Sequence, residues 1–299
     1  MKQILVFFKQ FGMDSVSIEY QKVVDLDKWF KGSNNKLFRN LPGFIVSRLK
    51  KMICEEEMNA LHNDNIDKVG IDYVNAILND LDITIRMHNE NALEGAEKCI
   101  FAANHPLGGV DALSFLHCIY QLKGKVVSPS NQFFNYDPNL APLIVGVNVF
   151  GNSSRDQTRI INHTFQSDAQ IMIFPAGLVS RKTNGEIKDP EWHKSFVSKA
   201  IETKRYVVPT FITGVNTPKF YRISRIRKFF RIKMPVEVLC LPREMLNKKG
   251  STIDLIFGEP IAYNYFDASK RHHEWAQHVR AMVYDMGKSF EASHLQNIN

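Results

Sequence analysis

A histidine and an aspartate lie six positions apart in Asn104-His105-Pro106-Leu107-Gly108-Gly109-Val110-Asp111. An apolar strand-like run, Cys99–Ala103, leads into this stretch and an apolar helical pattern follows it. A neutral imidazole near its ordinary pKa accepts a proton at neutral pH. A carboxylate on its other nitrogen fixes the tautomer and stabilises the imidazolium that forms. His105 and Asp111 are therefore candidates for a general base and its orienting acid. Asn104, Gly108 and Gly109 make a turn that a ligand can approach closely and whose N–H groups can face an oxyanion. The plainer alternative makes Asp111 a cap of the helix Asp111–Leu122 and His105 a strand-end residue.

Three further stretches carry polar chemistry. Ile173-Phe174-Pro175-Ala176-Gly177-Leu178-Val179-Ser180-Arg181-Lys182 is a strand end, a Pro/Gly turn, then a hydroxyl and two cations. Gly177, Ser180 and Arg181 can offer N–H, O–H and guanidinium donors to a phosphate or carboxylate, against the alternative of a simple turn with solvated charges. Asn152-Ser153-Ser154-Arg155-Asp156 precedes a helical pattern, so Arg155 or Arg159 can bind an anion at a helix start, unless Ser154 or Asp156 merely caps it. Between Lys219 and Lys233, cations alternate with apolar residues. Ile223, Ile226 and Phe230 share a helical face, and Arg222, Arg225, Arg227, Lys228 and Arg231 give a basic surface for a membrane or an acidic carrier protein. A core-packed helix with a solvated basic face is the alternative. His272-His273-Glu274-Trp275-Ala276-Gln277-His278 does not read as a metal site, because His273 and His278 share no helical face and no cysteine or carboxylate cluster accompanies them.

The elements that must position these groups follow from hydrophobic period. Residues from Pro42 to about Asn79 read as helical. From Leu81 onward, short apolar strands (Ile83–His88, Cys99–Ala103, Lys125–Ser128, Leu143–Phe150, Ile171–Phe174, Tyr206–Ile212, Val236–Leu241 and Thr252–Phe257) alternate with helices. The helices are expected at Asp111–Leu122, Asp156–Gln166, Pro190–Thr203 and Ser269–Glu291. This alternation predicts one α/β domain over residues 81–299, a mixed sheet flanked by helices, preceded by a helical N-terminal segment over 21–80. Residues 1–20 read as a disordered leader, with Met13 an alternative start.

The chain has 299 residues, of which 44% are hydrophobic, enough for a large core and against disorder. Cys54, Cys99, Cys118 and Cys240 form no C-x-x-C pair, which speaks against a zinc site or disulfide framework and for a reducing cytoplasm. No run approaches the ~20 apolar residues that span a bilayer. The formal charge of +7 calls for an acidic partner. Anionic lipid, an acidic carrier and nucleic acid all fit that charge, but no nucleic-acid module accompanies it.

In order, these stretches resemble the glycerolipid acyltransferase superfamily, the PlsC-type enzymes. That family has an N-H-x4-D block, a second block with an arginine, a third block F-P-E-G-T-R-S-R and a fourth apolar block ending in proline. Asn104-His105 with Asp111, then Arg155, then Phe174-Pro175-Ala176-Gly177 with Ser180-Arg181, then Val207-Val208-Pro209 match them across residues 80–262. The chain departs in having one more residue between His105 and Asp111, and Ala176 and Val179 where the family has glutamate and arginine. N-H-P-L-G-G-x-D, F-P-A-G-L-x-S-R-K and Asp189-Pro190-Glu191-Trp192 resemble a narrower, hemolysin-like branch. It includes enzymes of the Bacteroidetes that acylate the amine of glycine.

The resemblance implies an acyltransferase in membrane lipid synthesis that uses an acyl carrier protein or coenzyme A thioester as donor substrate, with no permanently bound cofactor and no metal. His105 would be the base, Asp111 its partner, and Arg155, Ser180 and Arg181 the holders of the acceptor's anionic group. Glycine is the expected acceptor through its amine, with lysophosphatidate or another lysolipid as the alternative. The expected location is cytoplasmic, peripheral on the inner face of the cell membrane. A non-catalytic membrane- or carrier-binding protein is the competing class.

Overall fold

The protein is described from a computed structural model over residues 20–32, 39–131, 137–147, 155–231 and 235–296. Among these residues one sheet is built from β1 (Thr84–His88), β2 (Cys99–Ala103), β3 (Val126–Asn131), β4 (Ile144–Val147), β5 (Gln170–Ile173), β8 (Tyr206–Ile212) and β9 (Thr252–Phe257). A separate antiparallel hairpin joins β6 (Arg181–Thr183) to β7 (Glu186–Lys188). The sheet order is β1-β9-β8-β2-β5-β3-β4. Every neighbouring pair is parallel except β8 with β9, so the sheet is mixed.

The helices are α1 (Leu26–Lys31), α2 (Gly43–Met52), α3 (Glu55–Asn63), α4 (Ile71–Asp80), α5 (Gly109–Lys123), α6 (Arg155–Gln166), α7 (Ser195–Thr203), α8 (Pro218–Phe229), α9 (Leu241–Leu246) and α10 (His272–Gln296). They cover both faces of the sheet, and β2 shows why its sequence is apolar without a break. Cys99, Phe101 and Ala103 enter a core with Tyr73, Val74 and Ile77 of α4 and Leu113, Leu116 and Ile119 of α5. Ile100 and Ala102 point the other way, into a core with Phe196 and Val197 of α7 and Trp275, Val279 and Val283 of α10. A strand with both faces covered gains from apolar residues at every position.

Several boundaries depart from the sequence expectation. The helical stretch between Pro42 and Asn79 is broken into α2, α3 and α4, with positive φ at Cys54 and Gly70 marking the breaks. The strand expected over Val236–Leu241 is a 3₁₀ turn, Val236–Cys240, running into α9. Its alternating pattern mimics a strand, but Glu237 is fully buried by pairing with arginines, and Pro242 in the next turn favours a helix start. Helix α7 begins five residues later than Pro190, and α10 begins at His272 and runs on to Gln296. Of the strand expected over Leu143–Phe150, residues 148–150 lie outside the described residues, as does the leader expected over 1–20 except for Tyr20.

Candidate active site

Strands β2, β5 and β8 are parallel neighbours, so their C-terminal ends open on the same edge of the sheet. In open α/β sheets that edge is where ligands bind. The loop after β2 carries Asn104 and His105, the loop after β5 carries Phe174 to Ser180, and the loop after β8 leads through Asn216 to α8. Asn104 ties the first to the third: its Nδ2 donates to Ile212 O at 2.9 Å and its Oδ1 accepts from Ile212 N at 2.7 Å. Ser180 N donates to His105 O at 2.7 Å, which ties the first to the second.

The histidine–aspartate contact forms. His105 Nδ1 lies 3.0 Å from Asp111 Oδ2, and the same oxygen accepts Leu107 N at 2.8 Å. Because the carboxylate accepts, Nδ1 carries the hydrogen and Nε2 presents its lone pair outward. Asp111 is fully buried, and the His105 side chain keeps 11% of its surface exposed. The Phe174 ring stacks on the imidazole at 3.9 Å between centroids and 15° between planes, which fixes the ring's orientation. Helix α5 starts at Gly109 with Gly108 as its cap residue, so Asp111 sits in the first turn. That turn's N–H groups have no intrahelical partner and favour a negative charge.

The two glycines answer to packing as well as to any ligand. Gly108 has φ +98°, and a Cβ there would lie 2.9 Å from Leu241 Cδ2; one at Gly109 would lie 2.9 Å from Met245 Sδ. Helix α9, of which only Leu241 fell within the expected strand, is what approaches this turn. The extra residue relative to the family spacing falls here without separating His105 from Asp111.

Asp189 has a place in the site that sequence reasoning did not assign. Its Oδ1 accepts His105 N at 3.2 Å and Ser180 Oγ at 2.6 Å, and its Oδ2 accepts Trp192 Nε1 at 2.9 Å. Its N donates to Tyr284 Oη at 2.6 Å, and its carbonyl accepts Arg280 at 2.5 Å. Burial pushes its carboxyl above the ordinary carboxylate range, against the donors from Ser180, Trp192 and His105, which favour the anion. Asp189-Pro190-Glu191-Trp192 stood out in the sequence only as a family likeness. Nothing local signals a contact with a residue 84 positions earlier.

The expected anion-binding residues divide. Gly177 is exposed with φ +65°. Ser180 is buried and its hydroxyl is spent on Asp189. Arg181 differs from expectation: its guanidinium is buried, meets Glu237 Oε1 through Nε and Nη2 at 3.1 Å each, donates to the Val179 and Ser180 carbonyls, and lies 5.0 Å from the Phe220 ring centre. Burial lowers its pKa, and Glu237 opposes that. Arg227 Nε approaches the other Glu237 oxygen at 2.8 Å, so this member of the expected docking set also turns inward. Ala176 and Val179 are both buried, and the acid and base that the family carries there would be desolvated in this chain. Arg155 begins α6, but its side chain lies outside the described residues. Arg222, Arg225, Lys228 and Arg231 are exposed beside exposed Ile226, Phe229 and Phe230.

No cysteine is placed to act as a nucleophile. All four are buried, and burial pushes Cys99 up to about 11 and Cys118 up to about 12. A buried His105–Asp111 pair at the C-terminal edge of three parallel strands, where among the described residues no thiol or serine hydroxyl bonds the imidazole, can take a proton from an incoming group. The fold and the site are those of an α/β enzyme.

The comparisons place it within that class. A family model described as acyltransferase matches residues 30–293, and the chain belongs to this acyltransferase family. A lyso-glycine lipid O-acyltransferase from Phocaeicola vulgatus is 37% identical over 265 residues, covering 88% of this chain and 95% of the relative. A lyso-glycine lipid O-acyltransferase from Bacteroides thetaiotaomicron is 36% identical over 265 residues, covering 88% and 97%. Among solved structures, the 1-acyl-sn-glycerophosphate acyltransferase PlsC of Thermotoga maritima aligns with a TM-score of 0.41 at 13% identity, over 72% of this chain and 81% of that one. The protein is an acyltransferase, and the relatives it resembles over most of its length are enzymes of lipid synthesis. Among the described residues no helix is long and apolar enough to cross a membrane.

Proposed function

We propose that the enzyme transfers a fatty acyl group from an acyl carrier protein or coenzyme A thioester to the hydroxyl of a lyso-glycine lipid. The observation that carries the chemistry is the 3.0 Å contact of His105 Nδ1 with Asp111, which leaves Nε2 as the acceptor of a proton. The hydroxyl oxygen attacks the thioester carbonyl as Nε2 takes its proton. The carbon–sulfur bond then breaks, and the imidazolium returns the proton to the leaving thiolate. Asp111 stabilises the transient imidazolium, and N–H groups of the Gly108–Gly109 or Pro175–Gly177 turn donate to the oxyanion. The relatives' names shift the favoured nucleophile from the amine of free glycine, expected from the sequence, to a hydroxyl on a lipid that already contains glycine.

The test is product analysis by mass spectrometry with purified enzyme, an acyl thioester and three acceptors: lyso-glycine lipid, glycine and lysophosphatidate. The expected product is the O-acylated glycine lipid, reduced about 10²–10⁴-fold by His105→Ala. Faster acylation of the glycine amine or of lysophosphatidate would overturn the choice of acceptor. The exposed cations and aromatics of α8 support docking on an anionic membrane surface. Sedimentation with anionic vesicles checks this, with Phe229→Ser and Phe230→Ser together expected to weaken binding about tenfold.

A further inference from the structure

With Arg181 held by Glu237, exposed cations lie next to it at Lys182 and on α8 at Arg222 and Arg225. A cavity of about 360 Å³ opens between the β6–β7 hairpin, the loop after β8 and helix α8. The hairpin contributes Lys182 and Ile187, which face each other across its two strands. Pro218, Tyr221, Arg222 and Arg225 follow helical spacing and line it from one face of α8. Three of the lining residues are cations and none is acidic. The nearest carboxylates are engaged elsewhere: Glu244 accepts from Thr217 N and Oγ1 at 2.8 and 2.5 Å, and Glu237 holds Arg181.

The floor of the cavity is Asn216, which is 3% exposed, beside buried Tyr221. Asn216 N donates to Tyr221 Oη at 3.0 Å, and its Nδ2 donates to Pro106 O at 3.2 Å. One hydrogen bond thus links the cavity floor to the residue after His105. Asn216 Oδ1 is buried and has no hydrogen-bond partner among the described residues.

We propose that this cavity is the acceptor's headgroup site, in which Lys182, Arg222 and Arg225 hold the carboxylate of an N-acylated amino acid. An amino acid acylated on its amine keeps a carboxylate, the charge that these three cations complement. An acceptor bound here lies beside the His105 loop, to which the Asn216–Pro106 hydrogen bond ties the cavity lining. This inference rests on the acceptor class proposed above and assigns the side chains that would select it.

The test uses a soluble short-chain N-(3-hydroxyacyl)glycine, its carboxamide analogue and a non-reactive N-acylglycine without the hydroxyl. Arg222→Ala with Arg225→Ala, and separately Lys182→Ala, change exposed residues on two different elements, so a shared defect is not a failure to fold. The double variant is expected to raise the acceptor's KM about tenfold or more, with the donor's KM changed less than about twofold. The wild type is expected to disfavour the carboxamide by a similar factor, and the double variant to have lost that preference. An unchanged acceptor KM, or a rise confined to the donor's KM, overturns the assignment. Calorimetric titration with the non-reactive N-acylglycine separates the two ideas. Carboxylate-dependent binding lost in the double variant, in an enzyme that does not acylate lyso-glycine lipid, upholds the cavity and sinks the proposed reaction. Acylation of lyso-glycine lipid with equal titrations for wild type and variant does the reverse.

Discussion

Around His105 the charged and polar groups are enclosed and already matched, whereas on the outer face of α8 the cations stand in the open. Asp111 gives one oxygen to both His105 and Leu107, and Asp189 gathers donors from His105, Ser180 and Trp192. Arg222 and Arg225 line a cavity without a carboxylate. The first region holds a geometry and the second awaits a ligand. Arg181 and Arg227 show that residue type does not decide which a cation will do. Both turn towards Glu237, while Arg225, two positions before Arg227, faces the cavity.

This contrast can be broken at its centre first. Asp111→Asn keeps the shape but removes the acceptor that sets the His105 tautomer, so kcat is expected to fall about 10²–10⁴-fold with an unchanged circular dichroism spectrum. A loss below tenfold would mean that the enclosed pair does not prepare His105 for catalysis. The next largest effect is on folding. Glu237→Ala leaves two inward-turned guanidinium groups without their carboxylate and is expected to cost about 3–5 kcal/mol in denaturant unfolding. Arg222→Ala should stay within about 0.5 kcal/mol. Equal costs for the two would erase the distinction between buried and open cations.

The smallest expected effect is a pH dependence. Because burial raises the Asp189 carboxyl above its ordinary value, the folded protein binds that proton more readily than the unfolded chain does. Its contribution to stability is full below the ordinary carboxylate pKa and is lost as pH rises through the raised folded value. Asp189→Asn removes that titration. The stability of the wild type relative to the variant should therefore decline as pH rises from the acid range towards neutrality, measured by denaturant unfolding at a series of pH values. A difference that grows with pH would show that the three donors outweigh burial.

Much of the fold was legible because it rests on short-range patterns. The unbroken apolar run Cys99–Ala103 marks a strand covered on both faces, and the glycine turn before α5 brings His105 and Asp111 together across one loop. What was not legible depends on distant partners. Val236–Leu241 alternates like a strand, yet the burial of Glu237 against Arg181 and Arg227 draws it into a turn. Asp189 reaches the His105 backbone from 84 residues away, and Asn216 reaches Pro106 from 110 away.

The sequence by itself determined the meeting of His105 with Asp111 and the family, because both are carried by residue types at close spacing. Only the tertiary structure decided which cations are buried against a carboxylate and which stay exposed. A guanidinium is free or engaged according to the carboxylate that folding brings to it, and for Arg181 that carboxylate lies 56 positions further along the chain.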